Sequence, residues 1–523
     1  MDLFLSGDVD VEKKKTTNSF LFGAAALSLG SLLVKILGVL YKIPLAGLLE
    51  DDGMSYFNAA YTVYAFFFIL CSAGVPKAIT IIISSRDMEE GSDRAVLLTS
   101  SVFFFVIGTL LSLIFIATAA PISSFIGNKK AFPSMLAISP AIPFIAASSV
   151  LRGYLNGRLK FTSVAISQCI EAAAKLVLGL ALAAFAIKEG MRREVVSAYA
   201  IFGITIGSVI TFVCLLIRIK TLNKGNNTGQ SVKFSPKILK QICTTAAPIT
   251  ASAALASLVN VLDLAIIMRG LEGIGYTEYV SSILYGNYTT LAVPMFNFAL
   301  AIITSICTSI LPILTECATK GDGTSFTEHL GRAGSLVAFV AAPATAIFMI
   351  LPSDVLTVLF EADSVSIGAF LLSLLSVSLL LIAALTLVNT ALEVKGRYNT
   401  VLISMLVGSA IKLFSSYFLV GRSELALWGA PIGTALSYAV SLLISLTAYK
   451  KIHSGSAITR HFVAFGIISA LSAIPILFIK KAPFFLEPHL ISSLIILAIY
   501  GVIYLILTFL CGAFPAKSKV ILA

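Results

Sequence analysis

Apolar stretches long enough to cross a lipid bilayer follow one another along almost the whole of this chain. A membrane-spanning helix needs about 20 predominantly apolar residues to cross the ~30 Å hydrocarbon core. With 58% hydrophobic and only 12% charged residues, the composition differs from that of soluble domains, in which about a quarter of the residues are charged. We therefore predict an all-α polytopic membrane protein with fourteen helices, at residues 20–49, 58–85, 95–119, 132–154, 161–187, 197–219, 238–268, 281–315, 333–351, 366–393, 399–420, 428–449, 461–479 and 489–511.

The distribution of charge indicates how these helices are oriented. An even number of helices places both termini on one side, and the loops and tails there contain more than twice as many Lys and Arg residues as the opposite loops. Cytoplasmic segments carry such an excess, so we predict cytoplasmic termini. The net charge of +11 follows largely from this bias, and we expect no nucleic-acid partner. The seven cysteines and four histidines lack zinc-binding spacing, so we expect no metal site and no bound cofactor.

A short pattern occurs twice and indicates an internal repeat. Asn156-Gly157-Arg158 precedes a helix in which Ser167, Glu171 and Lys175 are spaced four residues apart. In the second half, Lys395-Gly396-Arg397 precedes a helix with Ser404, Gly408 and Lys412 at the same spacing. Further along, Gly203 and Gly207 match Gly429 and Gly433. The order of these matches is the same in both halves, which favours a duplicated helical unit.

The repeat predicts the domain organisation. We expect a cytoplasmic tail at 1–19, a six-helix lobe at 20–220, a cytoplasmic linker at 221–237, a second six-helix lobe at 238–452, and two additional helices with a tail at 453–523. Because each lobe has an even number of helices, a pseudo-twofold axis along the membrane normal would relate them, as in parallel-repeat transporters. We expect substrate to bind between the lobes and alternating access to arise from rocking of one lobe against the other.

Five lysines lie well inside the predicted membrane helices, away from their ends, namely Lys35, Lys42, Lys77, Lys175 and Lys412. A cation at the centre of a membrane helix costs at least about 2.5–3.5 kcal/mol. This cost is offset if the lysines face a wet internal cavity that receives an anion. The pattern therefore predicts a membrane transporter for a negatively charged, lipid-attached substrate.

Predicted helix 1 presents Lys35, Gly38 and Lys42 on a single face, because residues three and four apart are neighbours on a helix. An anionic group can approach the backbone closely at Gly38. Pro44 removes a backbone hydrogen bond, so we predict a hinge at Gly38 and Pro44. The alternative for Lys42 is that it extends to the membrane surface.

Two further helices place charges of both signs in the membrane. Glu171 and Lys175, one turn apart, form either a structural ion pair or part of a substrate or proton site. Lys412 has Gly408 at the position corresponding to the carboxylate, so it is the better candidate for contacting substrate. In predicted helix 7, Asn260 and Asp263 either bind a coupling Na⁺ or H⁺, or Asp263 pairs with a lysine.

Lys77 and three other polar residues complete the candidate site. Lys77 follows Gly74-Val75-Pro76, where it either contacts substrate or compensates the backbone freed by the proline bend. Tyr61 and Tyr285 belong to tyrosine stripes, and Asn297 follows a proline in predicted helix 8. Such stripes either stack on sugar rings or form the aromatic belt at a membrane surface.

Three motifs resemble one family of transporters. They are Ser31-Leu-Leu-Val-Lys35-Ile-Leu-Gly38-Val-Leu-Tyr41-Lys42-Ile-Pro44-Leu, Ser72-Ala-Gly74-Val-Pro76-Lys77-Ala and Arg152-Gly153-Tyr154-Leu-Asn156-Gly157-Arg158. Together they resemble the polysaccharide-transport branch of the multidrug/oligosaccharidyl-lipid/polysaccharide exporter superfamily, in particular its stage V sporulation protein B-like and lipid II flippase-like members. The likeness extends over nearly the whole chain.

The resemblance implies a flippase in a prokaryotic cytoplasmic membrane. It would move undecaprenyl-diphosphate-linked oligosaccharide or a peptidoglycan precursor across the membrane, using Na⁺, H⁺ or the membrane potential, as a monomer without enzymatic activity. In such proteins cavity cations receive the diphosphate, a role that passes here to Lys35 and Lys42. In such proteins arginine is common at the position of Lys42. A lysine binds phosphate as a point charge and cannot form the two parallel hydrogen bonds that an arginine forms.

Two other functions are compatible with a chain of this class. A multidrug or cation antiporter of the same superfamily would need intramembrane carboxylates as counter-charges, and here the intramembrane lysines outnumber the carboxylates. A membrane-embedded sugar polymerase or ligase would need a large outer loop with charged residues, and the outer loops predicted here are short. The lipid-linked oligosaccharide flippase is therefore the leading hypothesis.

Overall fold

The computed structural model describes residues 3–84, 92–222, 236–360, 365–450, 457–481 and 490–513, with their side chains except at 3–29, 31, 32, 35, 39, 92–94, 237 and 457–459. These residues form helices joined by short turns and contain no β-strand. The helices are α1 (Leu3–Ser72), α2 (Val75–Ser84), α3 (Ser92–Phe125), α4 (Phe132–Ile138), α5 (Ala141–Gly157), α6 (Phe161–Lys188), α7 (Arg193–Leu222), α8 (Pro236–Gly273), α9 (Glu278–Asn287), α10 (Val293–Thr319), α11 (Gly323–Ile350), α12 (Pro352–Leu359), α13 (Val365–Val394), α14 (Tyr398–Val420), α15 (Gly429–Lys450), α16 (Ala457–Ile479) and α17 (Leu490–Leu510).

Within the described residues, 12 helices are long and apolar enough to cross a membrane, or 13 if one bent pair counts as a single span. That pair, Lys129–Ile138 and Ala141–Gly157, is bent by 44° and corresponds to the predicted helix at 132–154. The first span, Ile36–Ser84, covers 49 residues and includes parts of the first two predicted helices. The all-α membrane class is confirmed, and the structure is compatible with about fourteen membrane helices.

Helix α1 consists of two arms that fold back on each other. In a straight helix, Lys42 and Asn58 would lie about 24 Å apart along the axis. Instead, the Lys42 Nζ donates to Asn58 Oδ1 at 3.4 Å. The backbone leaves the helical region at Glu50, where φ is 56° and ψ is −174°. The two arms correspond to the first two predicted helices, which reverse direction at Glu50.

Ion pairs to α7 hold this reversal in place. The Arg193 guanidinium lies 2.5 Å from Glu50 Oε2 and 2.7 Å from Asp52 Oδ1. A non-glycine residue with positive φ is strained and persists only where its surroundings fix it, and Arg193 provides that constraint. The helix continues through Pro44, and the non-helical backbone occurs six residues later at Glu50. The hinge at Gly38 and Pro44 stays a prediction about motion.

The chain divides into two compact units, Met1–Leu262 and Asp263–Ala523, called here the N-unit and the C-unit. Two units are compatible with the two predicted lobes. The predicted linker at 221–237 lies largely outside the described residues, and the domain boundaries and the symmetry axis stay predictions.

In the N-unit, glycines allow α6 and α7 to pack closely. A Cβ on Gly203 would lie 2.5 Å from the Gly179 backbone, and one on Gly207 would lie 3.3 Å from the Lys175 backbone nitrogen. Small residues permit membrane helices to approach each other in this way, which maximises van der Waals contact.

The C-unit contains the equivalent packing between α14 and α15. A Cβ on Gly429 would lie 2.7 Å from Leu419, and one on Gly433 would lie 2.9 Å from Ser415 Oγ. The helix after each Asn-Gly-Arg or Lys-Gly-Arg turn thus packs against the helix carrying the paired glycines. The structural equivalence supports the internal repeat.

We expect Gly203→Ala to destabilise the protein. The added methyl group would meet backbone rather than a movable side chain, and such overpacking typically costs about 1–3 kcal/mol. The matched control is Gly331→Ala in α11, where a Cβ would have no atom within 4 Å. Thermal unfolding in detergent should show a lower midpoint for Gly203→Ala alone. Equal midpoints for the two variants would contradict the close packing of α6 on α7.

The two C-terminal helices, α16 and α17, pack in the C-unit against α11 and α12. Their shared apolar core includes Phe465, Ile476, Ile496 and Tyr500. A charged contact accompanies it, because Lys480 Nζ lies 2.5 Å from the buried carboxylate of Asp354.

Candidate functional site

The N-unit contains a cavity of about 380 Å³ lined by side chains of α1, α5, α6 and α7. Its charged lining residues are Arg152, Glu171 and Lys175. Apart from Gln168, apolar and aromatic side chains form the rest of the wall, so charges here are only partly solvated. Electrostatic interactions are stronger in such surroundings than in water, which makes this cavity the candidate binding site of the N-unit.

Glu171 pairs with an arginine rather than with Lys175. The Arg152 Nη2 lies 2.5 Å from Glu171 Oε2, and its Nε donates to Ser167 Oγ at 3.1 Å. No ion pair joins Glu171 to Lys175 among the described side chains. The interpretation of Glu171 and Lys175 as a structural ion pair is therefore wrong, because the guanidinium of Arg152 from α5 reaches the carboxylate and forms a charge-assisted hydrogen bond with it.

Lys175 is consequently available on the cavity wall. Its ammonium group lies 5.5 Å from the centroid of the Tyr41 ring, within the range of a cation–π contact. Tyr41 is held in turn, since its hydroxyl donates to the Ala200 carbonyl at 3.2 Å. The next residue, Lys42, is close enough for its charge to repel that of Lys175. Two of the predicted cations, Lys42 and Lys175, therefore lie near each other in the N-unit.

Lys35 and Gly38 are the other two residues that we predicted on this face of the first helix. The side chain of Lys35 lies outside the described residues, so its role stays a prediction. A Cβ on Gly38 would have no atom within 4 Å, which leaves the open side that close approach of a ligand requires.

An aromatic row extends along the second arm of α1. Phe57 and Tyr61 are stacked with ring centroids 6.4 Å apart, and Tyr61 and Tyr64 follow at 5.8 Å. Tyr61 and Tyr64 line the N-unit cavity, and Tyr61 is 40% exposed. Because these rings line a charged cavity, they offer a surface on which a sugar ring can stack. The sugar-stacking role stays a prediction.

Lys77 lies at the start of α2, where it is exposed. The backbone around the preceding bend is satisfied by other groups, since Gly74 N–H donates to Thr250 Oγ1 at 3.2 Å and Thr80 Oγ1 donates to the Pro76 carbonyl at 2.7 Å. Hydroxyl groups of two threonines therefore satisfy the backbone at this proline bend, which was one of the two predicted roles of Lys77. Substrate contact by Lys77 stays a prediction.

In the C-unit, Asp263 and Lys412 form an ion pair. Lys412 Nζ lies 3.0 Å from Asp263 Oδ2, and Ser416 Oγ donates to Asp263 Oδ1 at 2.8 Å. Lys412 has no carboxylate one turn away on its own helix, as predicted, but α8 supplies one. Of the two alternatives for Asp263, the structure contains the pair with a lysine.

Three further predicted residues lie outside this ion pair. Tyr285 is buried near the end of α9, whereas Asn260 of α8 and Asn297 of α10 are exposed. A π-helical segment, Tyr288–Ala292, joins α9 to α10, and π-helical turns are frequent at functional sites. The segment ends just before Pro294, which lies in the first turn of α10.

Comparison with known proteins identifies the family. A model of the polysaccharide biosynthesis protein family matches residues 20–318, which is more than half of the chain. The chain belongs to this family. The predicted resemblance to the polysaccharide-transport branch of the exporter superfamily is thereby confirmed.

Two relatives from Bacillus subtilis are similar to this chain over most of its length. Stage V sporulation protein B of Bacillus subtilis (strain 168) is 21% identical over 458 residues, covering 86% of this chain and 87% of that protein. Lipid II flippase MurJ of the same organism is 22% identical over 485 residues, covering 88% of each.

Solved structures share the fold. A lipid II flippase MurJ in an inward closed conformation superposes with a TM-score of 0.72 at 17% identity, covering 93% of this chain and 98% of that chain. An inward-facing multidrug resistance MATE family transporter gives 0.61 at 16% identity, covering 83% and 96%. This member of the polysaccharide biosynthesis protein family is therefore a multi-pass membrane protein with the fold of these transporters.

Arg152 is the site residue that sequence reasoning missed in this family member. From the sequence, Arg152 counts among the positive charges of the cytoplasmic side, at the end of the predicted helix at 132–154. In the structure it lies within α5 and lines the cavity. The available signal was the lone carboxylate Glu171 in the following helix, which needs a cation from a neighbouring segment.

Proposed function

We propose that this protein is a flippase that moves a lipid-linked anionic oligosaccharide across the cytoplasmic membrane by alternating access. The observation that carries the proposal is the pair of lysines in the N-unit, Lys42 and Lys175. Charged side chains within membrane segments are costly and mark substrate pathways. Because Glu171 already pairs with Arg152 at 2.5 Å, the cavity is suited to an anion.

The chemistry of the substrate class follows from these groups. A diphosphate carries negative charge and several acceptor oxygens, which lysine ammonium groups bind as point charges. The row formed by Tyr61 and Tyr64 would receive the first sugar by stacking. We propose undecaprenyl diphosphate as the carrier and an oligosaccharide or peptidoglycan precursor as the cargo, in keeping with relatives named for sporulation and for lipid II flipping.

Orientation and coupling complete the proposal. Both termini would lie in the cytoplasm of a prokaryotic cell, and a monomer would suffice because the N-unit and the C-unit supply the two lobes. Asp263 is neutralised by Lys412 at 3.0 Å, which disfavours binding of Na⁺ at that carboxylate. The membrane potential, H⁺ or Na⁺ bound elsewhere would then drive the cycle.

A leaflet-exchange assay tests this function. Purified protein would be reconstituted with a fluorescent undecaprenyl-diphosphate disaccharide, and an impermeant quencher would report the fraction of lipid in the outer leaflet. We expect protein-dependent exchange. Absence of exchange over several head-group sugars, together with ethidium efflux from cells expressing the protein, would instead support the multidrug antiporter function that the MATE-like fold accommodates.

A further inference from the structure

A second cavity in the N-unit lies between the first turns of α6 and the last turns of α7. Its volume is about 350 Å³. One end is polar, with Thr162, Ser163 and Arg218, and the other is apolar, with Ile166 and Ile217. It shares no lining residue with the cavity that contains Lys175.

The polar end is suited to an anion. Arg218 Nε donates to Ser163 Oγ at 3.1 Å, which fixes the guanidinium at the rim, and no described carboxylate pairs with it. The sequence contains no Asp or Glu between Glu194 and Asp263. The two Nη groups of Arg218 can therefore donate to two phosphate oxygens at the same time.

The apolar end extends into the membrane-spanning part of the same helices. Ile166 is 54% exposed and Ile217 is 58% exposed, and both belong to candidate membrane spans. The polar end lies where α6 begins and α7 ends, which are also the ends of these two candidate spans. A molecule complementary to the whole cavity has a phosphate at that end and a hydrocarbon chain beside it.

We propose that this cavity binds an anionic phospholipid of the surrounding bilayer. Arg218 holds the phosphate, with Thr162 and Ser163 donating from their hydroxyls, and an acyl chain lies along Ile166 and Ile217. The inference does not depend on the flippase function, because it concerns a separate cavity and a resident lipid.

The test measures lipid affinity directly. Full-length protein, delipidated in neutral detergent, would be titrated with phosphatidylglycerol and the bound fraction read by native mass spectrometry. Loss of a charge-assisted bidentate contact predicts binding about tenfold weaker in Arg218→Gln. Arg218→Lys should give an intermediate affinity, since it keeps charge without the fork. Arg192→Gln, an exposed arginine before α7, is the control.

Three outcomes would overturn the assignment. Equal affinity in wild type and Arg218→Gln would mean that the arginine only extends to the membrane surface. Equal binding of phosphatidylcholine would exclude selection for an anionic lipid. Displacement of the lipid by the same concentration of inorganic phosphate would identify a phosphate site without a role for the acyl chain.

Discussion

Replacing both lysines of the first helix, Lys35→Gln with Lys42→Gln, should abolish leaflet exchange while the protein remains folded and inserted. Each lysine is expected to contribute a charge-assisted contact to the diphosphate, and such contacts are worth about 1.5–3 kcal/mol. The combined loss corresponds to a decrease of at least about a hundredfold in exchange rate. Glutamine at position 42 keeps a donor within reach of Asn58, which accepts from Lys42 at 3.4 Å.

Two comparisons separate a binding role from a structural one. Lys188→Gln with Lys450→Gln removes two exposed lysines at helix ends and should leave exchange unchanged. Lys42→Arg should retain activity, because arginine keeps the charge and adds a phosphate-binding fork. Wild-type exchange in the Lys35/Lys42 double variant would exclude these lysines as the anion site.

Breaking the ion pair of the C-unit should have the largest effect on stability. Asp263→Asn leaves Lys412, which is 21% exposed, without its counter-charge. Removing one partner of a buried pair typically costs about 3–5 kcal/mol, and the partial exposure places this pair at the low end. The double variant Asp263→Asn with Lys412→Met should recover most of the loss, because neither charge remains.

An exposed ion pair of the same chain provides the control for this double-mutant cycle. Glu316 and Lys320 are joined at 2.5 Å but are 64% and 68% exposed, and such exposed pairs contribute little to stability. Thermal unfolding of the single and double variants of both pairs gives the coupling energies. Similar coupling energies for the two pairs would contradict the structural importance of Asp263 and Lys412.

The pattern of apolar residues along the chain was sufficient to predict the helices, but it did not predict where a helix is interrupted. The apolar stretches specify where helices form, because each must satisfy its backbone within the bilayer. Pro44 indicated a bend, yet the non-helical residue is Glu50, which is held by Arg193 from α7. That contact joins residues far apart in the sequence, and no local feature of the first helix reveals it.

The same distinction applies to the candidate site. Spacing favoured Glu171 with Lys175, four residues apart, whereas the actual partner is Arg152, 19 residues away. The sequence left two alternatives for Asp263 because its partner, Lys412, lies on another helix. Residue types and membrane location therefore indicated which side chains matter, while tertiary packing determined how they pair.

The most direct test of the account compares two lipids in the same proteoliposomes. Both would carry the same polyprenyl chain, disaccharide and fluorophore, one through a diphosphate and the other through an uncharged linkage. Because the proposed site recognises the anion through lysines of the N-unit, the protein should accelerate exchange of the diphosphate lipid alone. Equal acceleration of both lipids would show that the charge of the linkage is not recognised, and would contradict the account.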